Sequence, residues 1–264
     1  MCTLTFTGTA LDPGISTQAL RNGEAGYTLL FNRDELRARG PEIAPAEART
    51  DSGVRYIAPT DSDAGGTWIA ANEHGITVAL LNGYAESRGP ERSEWTSRGA
   101  LVRSLADMQT AGELWTRMSP RRLGAFRPSV VVALGLGERP LIARWDGLAV
   151  SFDPRADLAL PITSSSYEQS EVQRFRRDLY EREVGGSLDP RSTGPPSLAA
   201  LDAYHRWTGP DGPTATSPCM ARSDAATRSH CRIEVRPGAV RFQYFPSAPF
   251  EDADPSTITL LGDR

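Results

Sequence analysis

At 264 residues the chain is long enough to bury a full core in one large domain, and its formal net charge of −4 carries no block of one sign suited to nucleic acid or an anionic membrane. Every basic residue is Arg, which excludes phosphate binding through a P-loop Lys, Schiff-base catalysis and lysine-held pyridoxal phosphate. Three cysteines without framework spacing, no apolar run near the ~18 residues of a membrane span and no apolar stretch behind Met1 give the expectation of a cytoplasmic protein with reduced thiols and no membrane span.

Met1-Cys2-Thr3-Leu4-Thr5-Phe6-Thr7 reads as a strand with Cys, Leu and Phe on one face and three Thr on the other. Cys2 has a side chain small enough for Met1 to be removed, which would leave a thiol and a free α-amine on one residue. The amine could then accept the thiol proton without a histidine. The simpler reading of Cys2 is a small apolar residue opening a strand. Residues 27–31 form a second strand paired back on the first, ending in Asn32-Arg33-Asp34-Glu35. If the register brings that end beside residue 2, Arg33 can stabilise a thiolate, and Asp34 or Glu35 can hold the ammonium.

Residues 41–62 form a Pro/Ala/acidic stretch with one short strand at 54–57. A hairpin follows, from Gly65-Gly66-Thr67-Trp68 through a turn at 72–75 and out along 76–81 into Asn82-Gly83. Asn82 reads either as a turn residue or, with the next N–H, as an oxyanion hole. A helix begins at Ser97 and another lies near 113–118; three strands at 129–134, 141–145 and 148–152 suggest an antiparallel meander.

A helix from about 168 to 184 carries Arg174, Arg176 and Arg177, which read as a solvated face. Ser197 caps a helix to about 207, strands run over about 231–235 and 240–245, and an acidic Pro-containing tail starts near 246. Strands and helices in this order fit an α+β fold, two antiparallel sheets stacked between two helical layers, as one domain over residues 1–264.

Only His74, His205 and His230 could serve a Ser-His-Asp triad, and no Gly-x-Ser-x-Gly elbow supplies its serine. Cys219, Cys231 and His230 lack zinc spacing, so no metal site is expected. Asp61-Ser62-Asp63 could ligate a hard cation but reads better as a solvated turn.

Met1-Cys2-Thr3-Leu4, the Asn32-Arg33-Asp34-Glu35 strand end, Gly65-Gly66-Thr67-Trp68-Ile69 and the Ser97-Arg98-Gly99 helix start, taken together, resemble the NRDE family, strongly to about residue 105 and weakly beyond. That family is in turn similar to the N-terminal nucleophile hydrolases of the choloylglycine hydrolase and penicillin V acylase group, whose fold is an αββα sandwich. The resemblance implies Cys2 as nucleophile with its amine as base, Arg33 beside it, Asn82 and the Gly83 N–H as oxyanion hole, and Arg228 as a late active-site Arg. Two departures stand out. Leu36 occupies the place of the hydrolases' Asp, leaving Asp34 or Glu35 to replace it, and Ser164, Ser165 or Ser166 stands where they carry a second Asn.

Three functions follow as expectations. The first is a cysteine amidohydrolase that cleaves a linear N-acyl amide through a thioester and needs no cofactor. The second, implied by the resemblance, is a haem-binding or haem-trafficking protein using the same cleft. Its candidate axial ligands are Cys2, His205 and His230, each of which also reads as an ordinary surface or core residue. The third is an inactive scaffold holding a lipid or acyl thioester. The expected partner is thus a small acyl amide or a haem-like ligand.

Overall fold

Alternation in the first strand has a structural counterpart on both of its faces. The computed structural model describes residues 2–8, 18, 25–84, 89, 93–153, 159–185, 195–248 and 254–262. Strands β1 (Cys2–Gly8) and β2 (Tyr27–Leu36) are followed by β3 (Ile43–Arg49), β4 (Arg55–Thr60), β5 (Ile69–Asn72) and β6 (Thr77–Asn82). Helix α1 (Arg98–Leu105) and the single turns α2 (Leu114–Arg117) and α3 (Pro120–Leu123) precede β7 (Ser129–Leu134), β8 (Leu141–Trp145), β9 (Val150–Asp153) and β10 (Ile162–Ser164). Helices α4 (Gln169–Tyr180) and α5 (Leu198–Arg206) come next, then β11 (Ala225–Arg236), β12 (Ala239–Phe245) and β13 (Ser256–Leu261).

Two antiparallel sheets result. One has the order β10-β1-β2-β11-β12-β13, the other β3 through β9 in sequence. Their facing surfaces share one core in which Leu4, Phe6, Leu29 and Phe31 meet Ile69, Ala79, Leu81 and Val132. The far face of the second sheet, with Val78, Leu80 and Val131, packs on Leu101, Val102 and Leu105 of α1. On the far face of the first, Leu30 packs on Leu179 of α4 and on Leu201 and Tyr204 of α5. The architecture is the αββα sandwich that the sequence implied.

Strand β7 is buried on both faces because Val131 and Ala133 point to the helices and Val132 and Leu134 to the inter-sheet core. Serine caps start α1 and α5, with Ser197 Oγ accepting the Ala200 N–H at 3.2 Å. The tail expected from residue 246 contains a strand, β13, at the edge of the first sheet.

Beneath α4 and α5 the first sheet carries a polar layer that pattern reasoning missed. Thr3 and Thr5 are fully buried, and Thr5 Oγ1 lies 2.9 Å from His205 Nε2. Arg176, expected on a solvated face, is 0 % exposed. It donates to the Asp34 carboxylate from two nitrogens at 3.3 Å, to the Ser217 carbonyl at 2.6 Å and to Thr3 Oγ1. A buried ion pair stripped of one partner leaves an unpaired charge in a medium that solvates it poorly.

Asn32 organises the rest of this layer. Its Nδ2 donates to the carbonyls of His205 and Pro218, so Oδ1 is the acceptor for His205 Nδ1 at 2.9 Å and His230 Nδ1 at 2.8 Å. Both imidazoles are therefore neutral Nδ1–H tautomers, and His205 Nε2 accepts from Thr5. Burial holds both rings below the usual histidine range, His230 at about 4.

Two outcomes are expected. Arg176→Leu should destabilise the fold by about 3–5 kcal/mol in urea unfolding, whereas Arg177→Leu, at an exposed position of the same helix, should change it by less than about 0.5 kcal/mol. The unfolded chain binds the His230 proton more readily than the folded one. The stability this confers is complete above the unfolded value of about 6.5 and is lost as pH falls toward about 4, amounting to about 3 kcal/mol. His230→Gln should flatten the unfolding free energy over that interval; equal slopes for the two proteins would contradict the buried neutral ring.

Candidate active site

The β1–β2 register pairs Cys2 with Arg33, and the β1–β10 register pairs Cys2 with Ser164. Cys2 and Arg33 line a cleft of about 370 Å³, together with Asp61, Trp68, Asn82 and Arg98 among others; Ser164 does not line it. Cys2 is only 7 % exposed. Burial pushes its thiol up, and the Asp34 charge adds to that. The Asp34 backbone N–H and the Arg33 guanidinium pull the other way without overcoming it. The thiol is thus protonated at neutral pH in this state and needs a base to become a nucleophile.

Arg33 is locked in place. Its Nη1 donates to Glu42 Oε1 at 2.6 Å, and its Nη2 donates to Asp61 Oδ2 at 2.9 Å and Glu35 Oε2 at 3.3 Å. The guanidinium lies 4.5 Å above the Trp68 ring. Asp61 also binds Arg39 at 2.7 Å and accepts the N–H groups of Asp63 and Ala64. Burial would raise the Asp61 carboxyl, but the Ala64 N–H and the Arg39 and Arg33 guanidinium groups outweigh it and hold the carboxyl below its usual value. The Asp61-Ser62-Asp63 turn is accordingly part of an arginine network, and among the described residues no group of three or more His, Cys, Asp or Glu is placed to hold a metal.

The opposite wall is built by glycine contacts. A Cβ on Gly66 would sit 2.6 Å from Gly99 Cα, and one on Gly99 would sit 2.6 Å from the Thr67 nitrogen. The Gly65-Gly66-Thr67 and Ser97-Arg98-Gly99 segments therefore meet backbone to backbone, with Thr67 N–H donating to Gly99 O at 3.3 Å. This contact aims the start of α1 at the cleft, where Ser97, Arg98 and Gly99 are lining residues. Asn82, at the end of β6, donates from Nδ2 to Tyr84 Oη at 3.0 Å.

Of the residues singled out in the sequence, the structure brings Cys2, Arg33, Glu35 and Asn82 to one cleft, with Asp34 reaching it through its backbone, and places Gly83, Arg228, His205 and His230 outside its lining. Asp34 follows Arg33 on a pleated strand, so its carboxylate points to the far face of the sheet, where Arg176 and Thr227 hold it; only its backbone N–H faces the thiol. The Gly83 N–H is spent on the Pro128 carbonyl at 2.9 Å and is not open as an oxyanion donor. Arg228 occupies a bulge in β11 and turns outward, its Nη1 donating to the carbonyls of Leu36, Arg37 and Arg39 at 3.3–3.5 Å. His205 and His230 lie behind the sheet, on the face opposite Cys2. Glu42 and Arg127 escaped the sequence reading because they are set in loops, where no periodicity marks them, and Arg98 was noted only as part of a helix-start motif. Ser164, on the other hand, lies in register with Cys2, and its buried hydroxyl has no hydrogen-bond partner among the described residues.

The family model for Transport and Golgi organisation 2 matches residues 1–121. No curated protein sequence matches the chain. Solved structures share its fold, among them the two that follow. Penicillin V acylase from Agrobacterium tumefaciens superposes with a TM-score of 0.54 at 12 % identity over 99 % of this chain and 86 % of that one. The Caenorhabditis elegans ortholog of N-acylethanolamine-hydrolyzing acid amidase gives 0.52 at 11 % identity over 99 % of both chains. At such identities the likeness establishes the fold alone. Residues 1–121 thus match the Transport and Golgi organisation 2 model, on a sandwich fold shared with these two solved structures.

Proposed function

We propose that this chain, once Met1 is removed, is a cysteine amidohydrolase that cleaves a linear N-acyl amide through a thioester. The observation that carries the reading is the meeting of Cys2, Arg33 and Asn82, from three separate strands, at the floor of one cleft. Removal of Met1 places an α-amine beside the thiol. The amine takes the thiol proton, the sulfur attacks the acyl carbon, and the same proton passes to the nitrogen as the C–N bond breaks. Water then attacks the thioester, releasing the carboxylic acid and restoring the thiol.

Asn82 Nδ2 supplies one hydrogen bond to the developing oxyanion. The Ser164 hydroxyl, in register with Cys2 and without a partner among the described residues, is the natural second donor in place of the Gly83 N–H. Arg33, already bound to three carboxylates, serves to position the thiol more than to supply free charge. Asp34 contributes through its backbone N–H, and Arg228 through the turn after β2. Haem in the same cleft is the weaker reading, since of its three candidate ligands only Cys2 lines that space.

Intact-mass measurement should find the chain shortened by one Met, and turnover of a short N-acyl amide should vanish in Cys2→Ala. Asn82→Ala should retain thioester chemistry but lose about 10²–10³ in kcat. Retained Met1 together with activity in Cys2→Ala would sink the proposal.

A further inference from the structure

The bulge in β11 sets Arg228 apart: Thr227 pairs with Asp34 and Ser229 with Arg33, and no position of β2 pairs with the residue between them. Arg228 and Arg37 line a cavity of about 350 Å³, within the size range of small-ligand sites, and no residue lines both this cavity and the Cys2 cleft. Neither arginine pairs with a carboxylate among the described residues. The acids of the neighbouring segments are committed elsewhere, Asp224 to Arg222 at 2.6 and 3.1 Å, and Asp34 to Thr227 and Arg176. The bonds from Arg228 to the turn after β2 are long and engage Nη1 alone. The register that pairs His230 with Phe245 runs on to set Ser247 beside Arg228, just past the end of β12. The Ser247 hydroxyl lines the same cavity, is buried and has no hydrogen-bond partner among the described residues. Beneath these groups the cavity is lined by the buried side chains of Met220, Ala226 and Ala248.

Two guanidinium groups that share a cavity without an internal counter-charge create a positive potential, and a buried hydroxyl without a partner lacks the hydrogen bond it would have in water. A bound anion answers both. We propose that Arg37, Arg228 and Ser247 form a binding site, separate from the Cys2 cleft, for a small carboxylate with a short aliphatic tail. Each guanidinium offers planar paired donors that match a carboxylate, and the Ser247 hydroxyl adds a further donor. The methionine and alanine side chains select the tail, because an inorganic anion would set polar oxygens against them without a hydrogen bond. The site stands on its own charges and does not depend on the hydrolase reading.

Calorimetry on the full chain at low salt compares hexanoate with its uncharged analogue hexanamide, with inorganic phosphate as a third probe. Hexanoate should bind about tenfold or more tightly than hexanamide, and the preference should weaken as salt is added. It should disappear in Arg37→Gln and in Arg228→Gln, shrink in Ser247→Ala, and survive in part in Arg37→Lys. Arg127→Gln, which alters the Cys2 cleft instead, should leave it unchanged. Arg37 is exposed, so Arg37→Gln should keep the circular dichroism of the parent. If Arg228→Gln fails to fold, Arg37→Gln and Ser247→Ala decide. Equal affinity for hexanoate and hexanamide, no binding of either, or a preference unchanged in Arg37→Gln would overturn the site. A preference lost in Arg127→Gln would place the anion in the Cys2 cleft and overturn it equally. Phosphate binding more tightly than hexanoate would overturn the carboxylate assignment.

Discussion

The end of β2 is held from both sides. Arg33 and Asp34 are adjacent, so the pleat sends one guanidinium into the cleft and one carboxylate into the layer beneath α4. Arg33 finds Glu35, Glu42 and Asp61; Asp34 finds Arg176 and Thr227. Neither charge could exchange places with the other, because a slip of one residue would bury each of them without its partner. With that register set, β1 lies alongside with Cys2 opposite Arg33, and β11 lies on the other side. The cleft floor is in this sense a consequence of where two opposite charges can be tolerated.

The two walls of the cleft have different natures. One is a network of carboxylates and arginines, internally neutralised and rigid. The other is a backbone contact between two glycine segments that brings the start of α1 to the opening, where Arg98 and Arg127 line it.

Much of this was readable from residue order. Alternation in β1, the Asn72–Gly75 turn, the apolar run of β7 and the serine caps each reflect local preference, and each element formed near its expected place. The missed strands β3, β10 and β13 all lie at sheet edges, where one side alone is paired and weak signals suffice. In β3 a proline at position 45 coincides with a register shift, as an edge strand tolerates. Burial of Arg176 was not readable, because its partner Asp34 is 142 residues away and its neighbours Arg174 and Arg177 are exposed. The same holds for Gly83: only the β6–β7 pairing of Asn82 with Ser129 reveals that its N–H is occupied. Short-range pattern locates elements; long-range pairing decides which polar group is free to act.

In the state described, the Cys2 thiol is protonated by virtue of its burial, with Arg33 too fully paired to reverse the effect. In the proposed reaction, reactivity depends on an amine created at the same residue, a carboxamide from β6 and the hydroxyl of Ser164. The most direct test is to incubate the purified chain with an activated short-chain acyl ester, quench in acid and map the acyl group by peptide mass spectrometry. The account predicts one acyl group, on the sulfur of a Cys2 that has become residue one of the mature chain. Acylation spread over other side chains, or none at Cys2 in a correctly processed and folded protein, would contradict it.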